Sequence, residues 1–333
     1  MNVSSRSRRA LTGMALSIAL LLAGCGDTSP NGAATPIAPS DHDTRIFAAD
    51  NGDVDIPVAP RRIVTIGNTT PLAAELGITP IGYTMSKGVD TRWYTTNELE
   101  RLKSATEVGS GSGIDYEKVA GLEPDLIVVL APTASLKTDF GDERLDRIAP
   151  TVKIAFKTDW KETSRRVADA LGAKGAFDAQ KAAYEKKAAS VRSTHAGPIG
   201  RATFVSISRW TSSEPGTFSI EKASFGCNNF ATDAGLRLPP PRGVEMTAGT
   251  LTVGMERLTD LQQYGAILYP LDPDGRPKAE MSPLFESNSW RSLPLVTSRN
   301  TIGTKCRGTN SYASGVVYLE SLDAGLAALP HSR

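Results

Sequence analysis

Short apolar runs alternate with helical patterns along most of the chain. Arg62-Ile63-Val64-Thr65-Ile66, behind Pro60, predicts a β-branched strand, and Pro71 to Leu76 a short helix stopped by Gly77, with Gly67-Asn68-Thr69-Thr70 as the loop between them. Pro80-Ile81-Gly82-Tyr83 predicts a second strand. Asp115 is placed to cap a helix running to Leu122. The run Leu126-Ile127-Val128-Val129-Leu130 then has the unbroken apolar character of a strand buried on both faces of a parallel sheet. Between these, Val108-Gly109-Ser110-Gly111-Ser112-Gly113 predicts a flexible loop. Strand, helix and strand at these spacings specify an α/β fold.

The middle of the chain changes character. Asp159 to Leu171 and Ala176 to Thr194 predict two helices split by Gly172 and Gly175. In the second, Phe177, Tyr184 and Val191 recur every seventh residue among Ala, Lys, Glu and Gln, which leaves one narrow apolar stripe on a largely wet helix. A strut fits that pattern better than a core element. A second α/β block follows, with a strand over Ala202–Ser208, a helix over Leu251–Leu261, a strand over Ala266–Tyr269 and a terminal helix over Tyr312–Leu329. The expected architecture is α/β: two lobes with central β-sheets flanked by helices, residues 44–173 and 197–333, joined by one long bridging helix over residues 174–196.

The first forty residues belong to neither lobe. Arg6, Arg8 and Arg9 precede an apolar run from Leu11 to Leu22 that is too short for a comfortable membrane span, so residues 1–25 predict a signal peptide. Leu22-Ala23-Gly24-Cys25 resembles the lipobox of bacterial lipoproteins, which implies lipidation of Cys25 and anchorage to the extracytoplasmic face of the cell membrane. Residues 26–43, small, polar and Pro-rich, predict a flexible tether. In an exported protein the two other cysteines, Cys227 and Cys306, favour a disulfide.

Composition narrows the chemistry. The 333 residues carry a formal net charge of +1, which gives no support to nucleic-acid binding. No metal site is expected, since the cysteines lack knuckle spacing and there are three His. The Gly-rich stretch has no Lys-Ser/Thr after it and no GxSxG elbow occurs. His42, His195 and His331 lie in the tether, at the end of a polar helix and at the C-terminus. None is placed as a general base, so no enzyme and no cofactor are expected.

Several short segments together resemble the siderophore, haem and vitamin B12 binding proteins that feed bacterial ABC importers. In the first lobe these are Pro60-Arg61-Arg62-Ile63-Val64, Ile114 to Val119, Leu122 to Ile127 and Ile148 to Val152. In the second they are Met255-Glu256-Arg257-Leu258 and Trp290 to Pro294. The resemblance implies a monomer with its ligand in a cleft between the lobes, and permease docking through one acidic residue on each lobe, here Glu117 and Glu256. The expected ligand is a ferric siderophore, with haem or a corrinoid on the same fold as the alternative and an envelope scaffold without transport as another. An anionic ferric chelate calls for cations and aromatic faces. Ligand candidates at strand ends and in late loops are Thr69, Thr70, Tyr83, Lys87, Arg92, Trp93, Tyr94, Arg209, Trp210, Trp290 and Arg291, with Arg209 and Trp210 the strongest pair.

Overall fold

A computed structural model of the chain describes residues 43–85, 90–110, 113–140, 143–156, 159–308 and 310–330. The signal segment, Cys25, residues 26–42 of the tether and Lys87 lie outside the described residues. A hairpin of β1 (Thr44–Ala49) and β2 (Gly52–Pro57) opens the fold. The first sheet contains β3 (Ile63–Gly67), β4 (Gly82–Met85), β5 (Thr106–Ser110), β6 (Gly113–Ile114), β7 (Leu126–Ala131) and β8 (Thr151–Ala155). Their order is β6-β5-β4-β3-β7-β8, parallel throughout except for the β5–β6 pair. Every residue of β3, β7 and β8 is buried, as helix-covered parallel strands require.

The second sheet holds β9 (Phe204–Ser208), β10 (Thr217–Glu221), β11 (Thr250–Gly254), β12 (Ala266–Leu271) and β13 (Thr301–Lys305), in the order β11-β10-β9-β12-β13. Here β9, β12 and β13 run parallel, while β10 and β11 are antiparallel additions on one side. Leu251 therefore lies in a strand, contrary to the expected helix. Leu251-Thr252-Val253 pairs with Ile220-Ser219-Phe218, and only from Met255 does the chain coil, as a 3₁₀ segment to Gln263. The Gly-rich loop is likewise a hairpin at its described ends. Gly109 sits at φ +142°, with no room for a Cβ against the Gly113 carbonyl, so glycine here lets two strands meet closely.

The helix Lys174–Thr194 runs between the two sheets in sequence and buries Phe177, Tyr184, Ala188 and Val191, the seven-residue stripe read from the sequence plus one alanine. Gly175 lies inside it. Tyr184 meets Trp160, Phe230 and Tyr312 at ring-centroid distances of 5.7, 5.9 and 5.3 Å, so the strut is held by an aromatic cluster drawn from both halves of the chain. Cys227 and Cys306 form a disulfide with Cα atoms 5.9 Å apart, tying the helix Asn228–Asp233 to the end of β13. No helix among the described residues is long and apolar enough to cross a membrane.

Candidate functional site

In each sheet the direction in which strands are added reverses once. From β3 the chain adds β4 and β5 on one side and then crosses to β7 and β8; from β9 it adds β10 and β11 and then crosses to β12 and β13. Diverging connections leave a crevice outside the carboxyl ends of the strands at such a reversal, and ligands of open α/β sheets bind there. Those ends carry Asn68, Pro132 and Phe156 in the first lobe, and Arg209, Trp210 and Asp272 in the second.

The two sets of ends face one another. Arg92, exposed in the turn after β4, pairs with Asp90 at 2.7 Å and reaches Asp272, just past β12, at 3.5 Å. The Arg92 hydrogen bonds hold the Asp90 carboxyl below its ordinary range. Deeper, Arg307 from the second lobe bonds Glu98 at 2.8 Å and lies 3.6 Å from Glu75, all three side chains being buried. Ser314 donates to Glu75 at 2.9 Å. These bridges form a floor beneath the crevice.

Arg209 is 8% exposed and Trp210 48% exposed. The Arg209 guanidinium donates to the carbonyls of Glu280, at 3.1 Å, and of Thr217, so it braces the loops around the crevice. Trp210 presents its indole to solvent while its backbone is fixed by Ser213, whose hydroxyl accepts from its N–H at 2.8 Å. Tyr83 and Trp93 are half-buried on the first-lobe side. Burial, and then Glu107, raises the Tyr83 phenol above its ordinary value. The Tyr94 hydroxyl is enclosed without a hydrogen-bond partner, and burial followed by the neighbouring Glu75 carboxylate pushes its pKa up.

Other candidates lie elsewhere. Thr69 and Thr70 start the helix Thr69–Glu75 rather than a loop and are fully buried; the Thr70 hydroxyl donates to the Thr84 carbonyl at 2.7 Å, linking β4 to the helix. Neither offers a side chain to the crevice. Trp290 packs in the apolar core of the second lobe, stacked on Phe285 with centroids 4.7 Å apart, because the turn Asn288–Arg291 folds it inward. Arg291 is exposed at the end of that turn. Glu117 and Glu256 are exposed in the first turns of their segments, Tyr116–Gly121 and Met255–Gln263. Sequence reasoning missed Phe156, 45% exposed immediately after β8. The available signal was position, an aromatic ending an apolar strand Thr151–Ala155. A second cavity, of about 640 Å³ beside His195, Ala202 and Asn300, lies at the amino ends of β9, β12 and β13, the edge opposite the crevice.

Residues 69–214 match the family described as periplasmic binding protein. Over 294 residues the chain is 27% identical to the iron(3+)-hydroxamate-binding protein YxeB of Bacillus subtilis, covering 86% of this chain and 85% of that one. It is also 27% identical to the iron(3+)-hydroxamate-binding protein FhuD of the same organism, covering 85% of each. Among solved structures, the siderophore periplasmic binding protein from the fuscachelin gene cluster of Thermobifida fusca superposes with a TM-score of 0.70 at 23% identity, covering 82% of this chain and 99% of that one. Over residues 69–214 the chain is similar to periplasmic binding proteins, and its fold is that of the solved siderophore-binding proteins.

Proposed function

We propose that the protein is an extracytoplasmic receptor that captures a ferric siderophore of the hydroxamate class between its lobes and presents it to an ABC importer. The observation that carries this reading is Trp210, a large exposed indole fixed by its backbone at the carboxyl end of β9, with half-buried Trp93 following β4 and exposed Phe156 following β8 in the first lobe. A ferric trihydroxamate is a globular complex with apolar arms, and rigid aromatic faces recognise such a body with little loss of side-chain entropy. The match over 86% of the chain to a protein named for iron(3+)-hydroxamate binding supports the same ligand class. Haem ligation through Tyr94 is disfavoured, because burial beside Glu75 works against the phenolate that iron would need.

Lipidation at Cys25 would hold the receptor at the membrane, with residues 26–43 as its leash. Exposed Glu117 and Glu256 support docking to basic residues of a permease. The Lys174–Thr194 helix, packed at an aromatic joint, suits small lobe movements better than wide hinge closure. The test is a fluorescence titration of the mature protein with a ferric trihydroxamate, a ferric catecholate and haem. Saturable quenching by the trihydroxamate, reduced in Trp210→Phe, is the expected result. Binding of haem alone, with a new Soret band, overturns the reading.

A further inference from the structure

The Cys227–Cys306 bridge stands at the crevice edge of the second lobe, where both cysteines line a small cavity with Arg209 and Trp210. Cys227 is buried and Cys306 half-buried. Each cysteine begins a stretch of chain that leaves the crevice and ends at the joint between the lobes.

From Cys227 the helix Asn228–Asp233 runs to Asp233. The Asp233 carboxylate accepts from the Tyr184 hydroxyl of the bridging helix at 2.6 Å and pairs with Lys161 of the first lobe at 2.8 Å. Its carbonyl accepts from Arg192, also on the bridging helix. From Cys306 the chain crosses as a strap. Arg307 enters beside Glu75 and Glu98 of the first lobe, and the Asn310 carbonyl accepts from Ser164 at 3.0 Å. Ser311 then caps the helix Tyr312–Ala327 by accepting from the Ser314 N–H at 3.1 Å, and the Ser314 hydroxyl donates to Glu75. Both stretches are thus gripped at the joint. At the crevice end, no side chain caps the helix Asn228–Asp233, and the disulfide is the covalent tie between that end and the strap. The bridge closes a ring that runs from the crevice wall through the strap, the first lobe, the bridging helix and the helix Asn228–Asp233 back to the crevice. Cut at the disulfide, the two arms move independently.

Resting on the reading of this crevice as the ligand site, we propose that the Cys227–Cys306 disulfide is a redox-sensitive tie that sets the spacing of the lobes, so that opening it loosens the joint and lowers ligand affinity without unfolding either sheet. Order lost at the joint has to be restored by the ligand on binding, which weakens it. The half-buried Cys306 sulfur is the accessible one. One thiolate of a small dithiol attacks there and Cys227 leaves as a thiolate; the second thiol then releases Cys306. The reductant ends as a cyclic disulfide and the protein with two thiols.

The experiment compares the full mature protein in its oxidised form, reduced with dithiothreitol, and as Cys227→Ser/Cys306→Ser, each checked for native secondary structure by circular dichroism. Without ligand, amide hydrogen exchange should rise on opening the bridge in the helix Thr69–Glu75 and in the first turns of Tyr312–Ala327, which the strap touches, and stay unchanged in β3 and β7. A rise confined to Asn228–Asp233 and the end of β13 overturns the proposal. Equilibrium dialysis against a ferric trihydroxamate, read by the chelate's own visible absorbance, should show the reduced and Ser forms binding on the order of tenfold more weakly. Glu98→Gln loosens the strap from the first-lobe side with the bridge intact, and its side-chain oxygen still accepts from the Thr95 N–H. It should lower affinity too, and reduction should then add less than about threefold. Equal affinity of the oxidised and reduced forms overturns the tie, as does an undiminished further loss on reducing Glu98→Gln. If the oxidised protein binds no trihydroxamate, the hydroxamate reading falls, and the exchange pattern still decides the tie.

Discussion

Arg209 and Trp210 are chain neighbours whose side chains diverge, since successive residues leaving a strand point to opposite faces. The sequence places both at a strand end, because the β-branched run Ala202–Ser208 stops there. It does not say which one turns inward, since the carbonyls that hold Arg209 lie 8 and 71 residues away. The same limit applies to Trp290 and Thr70, whose partners follow from packing rather than from local pattern. Arg209→Ala should therefore act first on stability, by about 3 kcal/mol for two charge-assisted hydrogen bonds at the low end of their range. Arg209→Lys should not restore it, because an ammonium lacks the planar fork that spans two carbonyls. Thermal denaturation checks this beside a ligand titration. A tenfold loss of affinity at unchanged stability would make Arg209 a direct ligand contact.

At the level of elements, the buried strands β3, β7 and β9 were legible because unbroken apolar runs between Pro and Gly have few other readings. β11 was not, since Leu251-Thr252-Val253 is too short to separate helix from strand and its register is set by β10, some thirty residues earlier in the chain. The bridging helix showed its buried stripe except for Ala188, but not what the stripe packs on. That partner includes Gly315 of the helix Tyr312–Ala327: a Cβ there would sit 2.5 Å from Tyr184 Cε2 and 3.1 Å from Phe230 Cδ1. Helix propensity alone favours Gly315→Ala by roughly 1 kcal/mol. Overpacking a rigid aromatic joint costs roughly 1–3 kcal/mol and wins. Urea unfolding should show Gly315→Ala less stable than wild type, and a rise in midpoint would mean that the aromatic cluster yields.

For the whole molecule, the two-lobed plan was legible because the same strand-helix grammar occurs on both sides of one polar helix. The crevice floor was not, since Glu75, Glu98 and Arg307 lie far apart in the chain and each reads alone as a surface charge. The proposed docking through Glu117 and Glu256 would likewise be a property of the assembled pair of lobes. Charge reversal at both should abolish siderophore uptake by cells while the Kd of the purified protein stays unchanged, since both side chains are exposed. A collapse of affinity would place them in the ligand site instead.

The floor also makes stability depend on pH in a direction that can be worked out. Burial raises the Glu75 pKa above its ordinary 4.5, against the opposing pull of Arg307, Ser311 and Ser314, and Glu98 adds to the rise. The folded state thus holds a proton on Glu75 more tightly than the unfolded chain does. That contribution to stability is fully present below pH 4.5 and is lost as pH rises through the folded pKa. Glu75→Gln removes the titration while keeping an acceptor for Ser314. The melting temperature of Glu75→Gln relative to wild type should therefore rise steadily from pH 4 toward neutrality. Arg307→Met should behave oppositely, leaving two buried carboxylates without their cation and costing about 3–5 kcal/mol near neutral pH, less in acid. Parallel melting curves for wild type and Glu75→Gln across that range would show that Glu75 keeps its charge throughout and that Arg307 outweighs its burial.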